Sequence, residues 1–153
     1  MRFLRILVIG LTTAVLAGCS LTTAGMVDLA PISYSFHPSN GLESKLSVEP
    51  MTGTWANEAL AAGVTSAITV NYSPDQGESV ALMNAYFMPE SVFDEAANPN
   101  EPPIYGIEVA RADGNVLAVI GPQDAMFDSE TPDGINIGLL YDALYDPENY
   151  MSK

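Results

Sequence analysis

A single cysteine, a single histidine and only five lysines and arginines stand among the 153 residues of this chain. With one thiol no internal disulfide can form, so the fold must be held by its core. With one imidazole, a Ser-His-Asp or Cys-His arrangement has His37 as its only general base. That residue stands beside Pro38 at the end of an alternating segment, where a surface turn is the simpler role. The Gly-x-Ser-x-Gly elbow, the Gly-rich phosphate loops and the His-Glu-x-x-His zinc signature are missing too. A Ser-Lys hydrolase would have to use Lys45 or the terminal Lys153, without a motif around either. These gaps argue against common hydrolases and nucleotide enzymes, and the chain is expected not to be an enzyme. Scarce positive charge also removes nucleic acid as a partner, because phosphate binding needs clustered Lys and Arg to displace counterions.

What the chain does have begins at its amino terminus. Arg2 and Arg5 precede an uncharged apolar run from Ile6 to Ala17, which ends in Leu16-Ala17-Gly18-Cys19. As a helix those 12 residues would be about 18 Å long against a hydrocarbon core of about 30 Å, too short to span. Basic residues before the run hold the terminus on the cytoplasmic side, and small residues after it leave a cleavable stretch. The segment therefore reads as an address rather than part of the fold.

Leu16-Ala17-Gly18-Cys19 resembles the lipobox of bacterial lipoproteins, a likeness confined to the first 19 residues. In that family the Cys thiol receives diacylglycerol, a signal peptidase cuts before it, and the freed amino group is often acylated. The resemblance implies that residues 1–18 are removed, that Cys19 carries S-diacylglycerol and an N-acyl chain, and that lipid fastens the protein to a membrane. One acyl chain binds reversibly whereas two hold stably, at about 0.8 kcal/mol per buried methylene. In the family's sorting rule an Asp after the Cys favours inner-membrane retention, and Ser20 gives no such cue. The expected location is extracytoplasmic, on the cell membrane or, in a two-membrane organism, the outer membrane.

Removing 18 of 153 residues leaves 135, enough for one domain. The whole chain carries −14; without Arg2 and Arg5 the balance is −16, with only Lys45, Arg111 and Lys153 left as cations. Such a surface suits a basic partner, and it also serves plain solubility. Anionic lipid headgroups would repel it within a Debye length of about 8 Å, so the lipid at Cys19 must hold it unaided.

Residues 19–31 read as the lipidated terminus and a short tether, and 32–153 as a single globular extracytoplasmic domain. Ile32, Tyr34 and Phe36 alternate with polar residues, a turn follows at His37-Pro38-Ser39-Asn40-Gly41, and a returning strand is expected over Leu42–Val48. Trp55–Ala62 suits a short helix, and Val64–Tyr72 an amphipathic strand. Val80–Met88 is apolar on both faces, as expected of a strand interior to a sheet. Pro89 fits the start of a helix carrying Val92, Phe93, Ala96 and Ala97 inward, stopped by Asn98-Pro99. Tyr105, Ile107 and Val109 alternate toward Asp113-Gly114, a tight-turn dipeptide, before the apolar run Val116–Ile120. Asp133 can cap a helix in which Ile137, Leu140 and Leu144 recur, ended by Asp146-Pro147. Together these predict an α+β fold: one domain with an antiparallel sheet of about five or six strands and one or two covering helices. An all-β sandwich is the alternative if the helices fail.

Asp124, Asp128, Glu130 and Asp133 are the one cluster with the oxygen chemistry of a calcium site. Its spacing is not that of an EF-hand, since Pro132 interrupts it and no bidentate Glu follows, so a solvated acidic loop is the simpler reading. Asp142 and Asp146 lie near the negative end of the last helix, and Tyr141, Tyr145 and Tyr150 beside them suit either a core edge or contact with a partner or sugar. Met83 and Met88 fall inside the apolar strand and read as core, although with Met126 and Met151 they also suggest soft-metal ligands. The expectation is a noncatalytic binding or assembly module without cofactor, anchored to a membrane through Cys19. Its partner would be a basic protein, and one version is an inhibitor of a cationic enzyme. The competing class is a carboxylate-dependent, calcium-binding enzyme or small-ligand receptor, which requires residues 124–133 to converge in a pocket.

Overall fold

Alternating apolar residues become strands where a turn lets a neighbour pair with them, and the computed structural model, which describes residues 25–153, shows two sheets built this way. In chain order the elements are β1 (Val27–Asp28), β2 (Tyr34–Phe36), a 3-10 helix (Ser39–Lys45), β3 (Leu46–Pro50) and α1 (Thr54–Ala61). Next come β4 (Ser66–Tyr72), β5 (Val80–Pro89), α2 (Glu90–Ala96), β6 (Ile107–Ala112) and β7 (Asn115–Ile120). The chain closes with α3 (Pro132–Leu144), a 3-10 turn (Pro147–Asn149) and β8 (Tyr150–Ser152). The larger sheet has the order β3-β4-β5-β7-β6 and the smaller one β1-β2-β8, with every pairing antiparallel. The fold is α+β, and the expected antiparallel sheet is present with five strands. The expected signal segment and Cys19 lie outside the described residues.

The central position of β5 explains its composition. Met83 and Ala85 sit opposite Val70 and Ile68 of β4 on one face, while Tyr86 and Met88 pair with Ala118 and Val116 of β7 on the other. All eight are buried, because both faces are covered. The first face carries the small sheet and α3, which bring Leu29, Phe36, Leu140, Leu144 and Tyr150 against it. The second carries α1 and α2, which contribute Ala59, Val92 and Phe93. Fully buried Leu140 and Leu144 each stabilise the fold by about 1.5–3 kcal/mol through removal of apolar surface from water. Asp113 (φ 52°) and Gly114 (φ 75°) form the expected tight turn between β6 and β7, both in the left-handed region that a two-residue hairpin requires.

Several boundaries differ from the sequence expectation, for physical reasons. Residues 27–31, expected as tether, belong to the body, because Val27 and Leu29 are buried and β1 pairs with β2. Leu42 enters the core from a 3-10 helix, so the returning strand begins only at Leu46, where pairing with Tyr72 of β4 starts. Pro89 still pairs with Asn115 as the last residue of β5, and α2 starts one residue later. Thr131 rather than Asp133 caps α3: its hydroxyl accepts from the Gly134 N–H at 3.1 Å, and Pro132 takes the first helical position. Among the described residues three α-helices accompany the sheets, and a second, three-stranded sheet joins the expected one. No helix among the described residues is long and apolar enough to cross a membrane.

β8 fastens the end of the chain. Tyr150 is buried, stacks at 5.2 Å on Phe36, and donates its hydroxyl to the Leu144 carbonyl at 2.7 Å, satisfying an open carbonyl at the end of α3. Burial pushes this phenol well above its ordinary value, and burial likewise raises Tyr72, Tyr86 and Tyr145. A group whose folded pKa is raised contributes stability that is complete below the unfolded value, about pH 10 for Tyr, and is lost as pH climbs past it. The melting temperature is therefore expected to fall above about pH 10. Tyr150→Phe is expected to cost about 1–3 kcal/mol at pH 7, by leaving a carbonyl unpaired, and to flatten part of the alkaline loss. Thermal melts from pH 7 to 11 check both effects; an unchanged alkaline slope in the variant would contradict the role given to Tyr150.

Candidate functional site

Where β7 ends, Gly121 and Pro122 lead into the loop that crosses to α3, and two adjoining grooves open on either side of that crossing. Tyr145 fixes the junction by accepting the Gly121 N–H on its hydroxyl at 2.9 Å, and it meets Tyr141 edge to face with ring centroids 5.3 Å apart. Gly106 lets β6 begin close against β7: it has φ 84°, and a Cβ there would lie 2.1 Å from the Val119 carbonyl oxygen. The first groove, of about 580 Å³, is walled by Pro102, Pro103, Ile107, Ile120 and Tyr145. The second, of about 460 Å³, holds Asp124, Met126, Phe127, Gly138 and Asp142. Gln123 and Tyr141 line both. One half is thus apolar and uncharged, and the other carries two carboxylates.

The floor of the second groove is α3, and two of its glycines behave differently. Gly134 is required by the fold, because a Cβ would stand 1.9 Å from the Asp128 carbonyl. Gly138 meets nothing within 4 Å of such a Cβ, so packing does not demand it. Glycine inside a helix costs about 1 kcal/mol relative to alanine. Its effect here is to keep the groove floor low.

The four carboxylates singled out in the sequence are not brought together. The Asp128 side chain turns back to accept the Glu130 N–H at 3.0 Å, Glu130 is exposed, and Asp124 lines the groove. Asp133 points away to accept the Tyr72 hydroxyl at 2.6 Å and the Asp75 N–H at 3.2 Å, with Lys45 at 3.8 Å. The Tyr72 hydrogen bond, helped by those neighbours, holds the Asp133 carboxyl below its usual range. Among the described residues no group of three or more His, Cys, Asp or Glu is placed to hold a metal ion. The convergence that a calcium site requires is therefore not found in this loop.

The remaining candidates separate as well. His37 is exposed and gives its backbone N–H to the Asn149 carbonyl at 2.8 Å, away from both grooves. Met83 and Met88 face opposite sides of the central sheet and share no site. Asp146 does not burden α3, because the helix ends at Leu144 and its carboxylate caps the next turn through the Glu148 N–H at 3.0 Å. Of the three tyrosines, Tyr150 is core, Tyr145 is half-buried and Tyr141 is exposed in the groove wall.

Electrostatics outside the grooves follow one pattern. Lys45 pairs with Asp75 at 2.6 Å, and Lys153 with Asp28. Arg111 meets Glu108 at 2.7 Å, Asp94 at 3.0 Å and Glu90 at 3.5 Å while lying over the Phe93 ring. Solvent screens surface pairs of this kind, so they add little stability and their larger effect is on the exterior field. Every Lys and Arg among the described residues is engaged by the chain's own carboxylates. Sequence reading missed Gln123, Gly138, Ile107 and the Pro102-Pro103 wall as parts of one surface; a glycine inside an apolar helical pattern was the one visible signal. No protein-family model matches the chain, and comparison with curated proteins and with solved structures gives no match.

Proposed function

We propose that this protein is a noncatalytic, lipid-anchored extracytoplasmic module of a bacterial envelope that binds a basic protein. The observation that carries the reading is the internal use of its cations. Among the described residues, three basic side chains are shared among six of the nineteen carboxylates, which leaves thirteen without an ionic partner there. A surface of that kind attracts a cationic protein over a Debye length and repels nucleic acid and anionic headgroups.

The lipobox supports the anchoring half of the reading. The body has begun by Val27, eight residues beyond Cys19, so even a fully extended connection of about 3.5 Å per residue keeps it within about 28 Å of the lipid. A partner is therefore held at the membrane surface. A cationic enzyme such as a lysozyme or protease fits this arrangement, with the module acting as its inhibitor. Association steered by charge is fast and salt-sensitive.

Affinity capture from envelope extract with the chain beginning at Ser20 tests the function. The expected result is recovery of one basic protein, weakened by raised salt and indifferent to added calcium. Recovery of neutral or acidic proteins, or an affinity that salt does not change, would overturn it.

A further inference from the structure

We infer that the two adjoining grooves form a docking site for one basic, amphiphilic polypeptide segment, an apolar or aromatic anchor followed closely by Lys or Arg. The inference rests on the reading of the protein as an acidic binding module and places the contact on it. Its basis is the division of the surface into unlike halves. Pro102, Pro103, Ile107 and Ile120 wall a groove without a charged side chain, while Asp124 and Asp142 stand in its neighbour, and Gln123 and Tyr141 belong to both. A ligand crossing that divide must be apolar at one end and cationic at the other.

Charge selects among possible occupants. Among the described residues no Lys or Arg lines either groove, and Lys45, Arg111 and Lys153 are engaged elsewhere, so Asp124 and Asp142 have no cation of their own there. A second copy of this chain would bring the same excess of carboxylates and be repelled, as would an anionic lipid surface. A cationic segment gains both carboxylates and the ring of Tyr141, which is exposed and attracts positive charge to its face. The open space over Gly138 lets the ligand backbone come down onto α3, which explains a helical glycine that internal packing does not need.

The probe is an end-capped, fluorescein-labelled hexapeptide of sequence Leu-Phe-Pro followed by three Lys, titrated against the lipidated protein beginning at Cys19 in phosphatidylcholine nanodiscs, with empty discs as blank. It is expected to bind more tightly than a hexapeptide of Lys alone or an apolar hexapeptide. Asp124→Asn/Asp142→Asn should weaken binding about fivefold or more at low salt, whereas Glu49→Gln/Glu58→Gln, an equal charge change at exposed positions outside the grooves, should alter it less than about twofold. Gly138→Leu should fill the floor and weaken binding about tenfold without lowering the melting temperature, and Gly138→Ala should do so to a smaller degree while raising it. Unchanged affinity in Gly138→Leu, or an equal loss in the two charge-changed pairs, would overturn the groove as the site. If the wild type still captured a basic protein in a salt-sensitive way, the acidic-module reading would survive that failure. A wild type that neither binds the probe nor captures a basic protein would end both.

Discussion

Replacing Cys19 by Ala is expected to abolish incorporation of labelled fatty acid and to move the protein out of the washed membrane fraction. The two or three acyl chains of the proposed anchor, at about 0.8 kcal/mol per buried methylene, would make attachment effectively permanent, and removing the thiol would remove the site of the proposed thioether. No described helix can span, and the carboxylate excess works against association with anionic lipid. The apolar run before Cys19 is 12 residues long, well short of the about 20 that a stable span takes. Metabolic labelling followed by fractionation reads the effect, and mass spectrometry of the native protein gives an independent check. A wild-type protein that retains Met1, or carries an unmodified thiol at residue 19, would remove the basis of the anchoring proposal.

The Gly106→Ala variant is expected to lose about 3–5 kcal/mol of stability. Two penalties coincide there. The backbone at φ 84° is one that L side chains rarely adopt, and the new Cβ would fall 2.1 Å from the Val119 carbonyl and 2.4 Å from Ile120 Cγ1. The Val119 oxygen belongs to β7, which is held between β5 and β6 and has little room to yield. Gly114 provides the contrast, since its φ is 75° but nothing lies within 4 Å of its would-be Cβ, so only the conformational cost applies. Against a total of about 5–15 kcal/mol for a domain, the Gly106 loss corresponds to a melting temperature lowered by about 10 °C or more. Circular dichroism melts of Gly106→Ala and Gly114→Ala measure the difference. Equal and small shifts in both would mean that β6 and β7 do not approach as closely as described.

Much of the body was legible from pattern. Period-two alternation marked β4, two-sided apolarity marked β5 as central, and Asp113-Gly114 marked the β6–β7 hairpin. These signals are local, since each depends on a few neighbouring side chains and on backbone angles that the residue types themselves favour. Legibility failed where pairing was supplied by distant partners. β8 is three residues long, carries no period of its own, and exists because β2 offers it a free edge. Asp133 resembled a helix cap by type, but Tyr72, sixty-one positions earlier, claims its carboxylate and leaves capping to Thr131.

The grooves were the least legible feature because no single segment contains them. Pro102 comes from the approach to β6 and Ile107 from its first position, Ile120 and Gln123 from the end of β7 and the following loop, and Gly138, Tyr141 and Tyr145 from α3 and its end. The same holds for charge. The excess of carboxylates could be counted, but not which of them would be neutralised by Lys45, Arg111 and Lys153.

The amino-acid order alone determined the single thiol inside its lipobox-like string, the net charge, and the β4–β5 and β6–β7 hairpins of the large sheet, all properties of composition or of near neighbours. Only the tertiary structure decided that the acidic loop would scatter its carboxylates, that a second sheet would tie down both ends of the body, and that an apolar and an acidic hollow would meet at Tyr141. Those outcomes depend on contacts between residues tens of positions apart, which chain folding brings together and local preference does not specify.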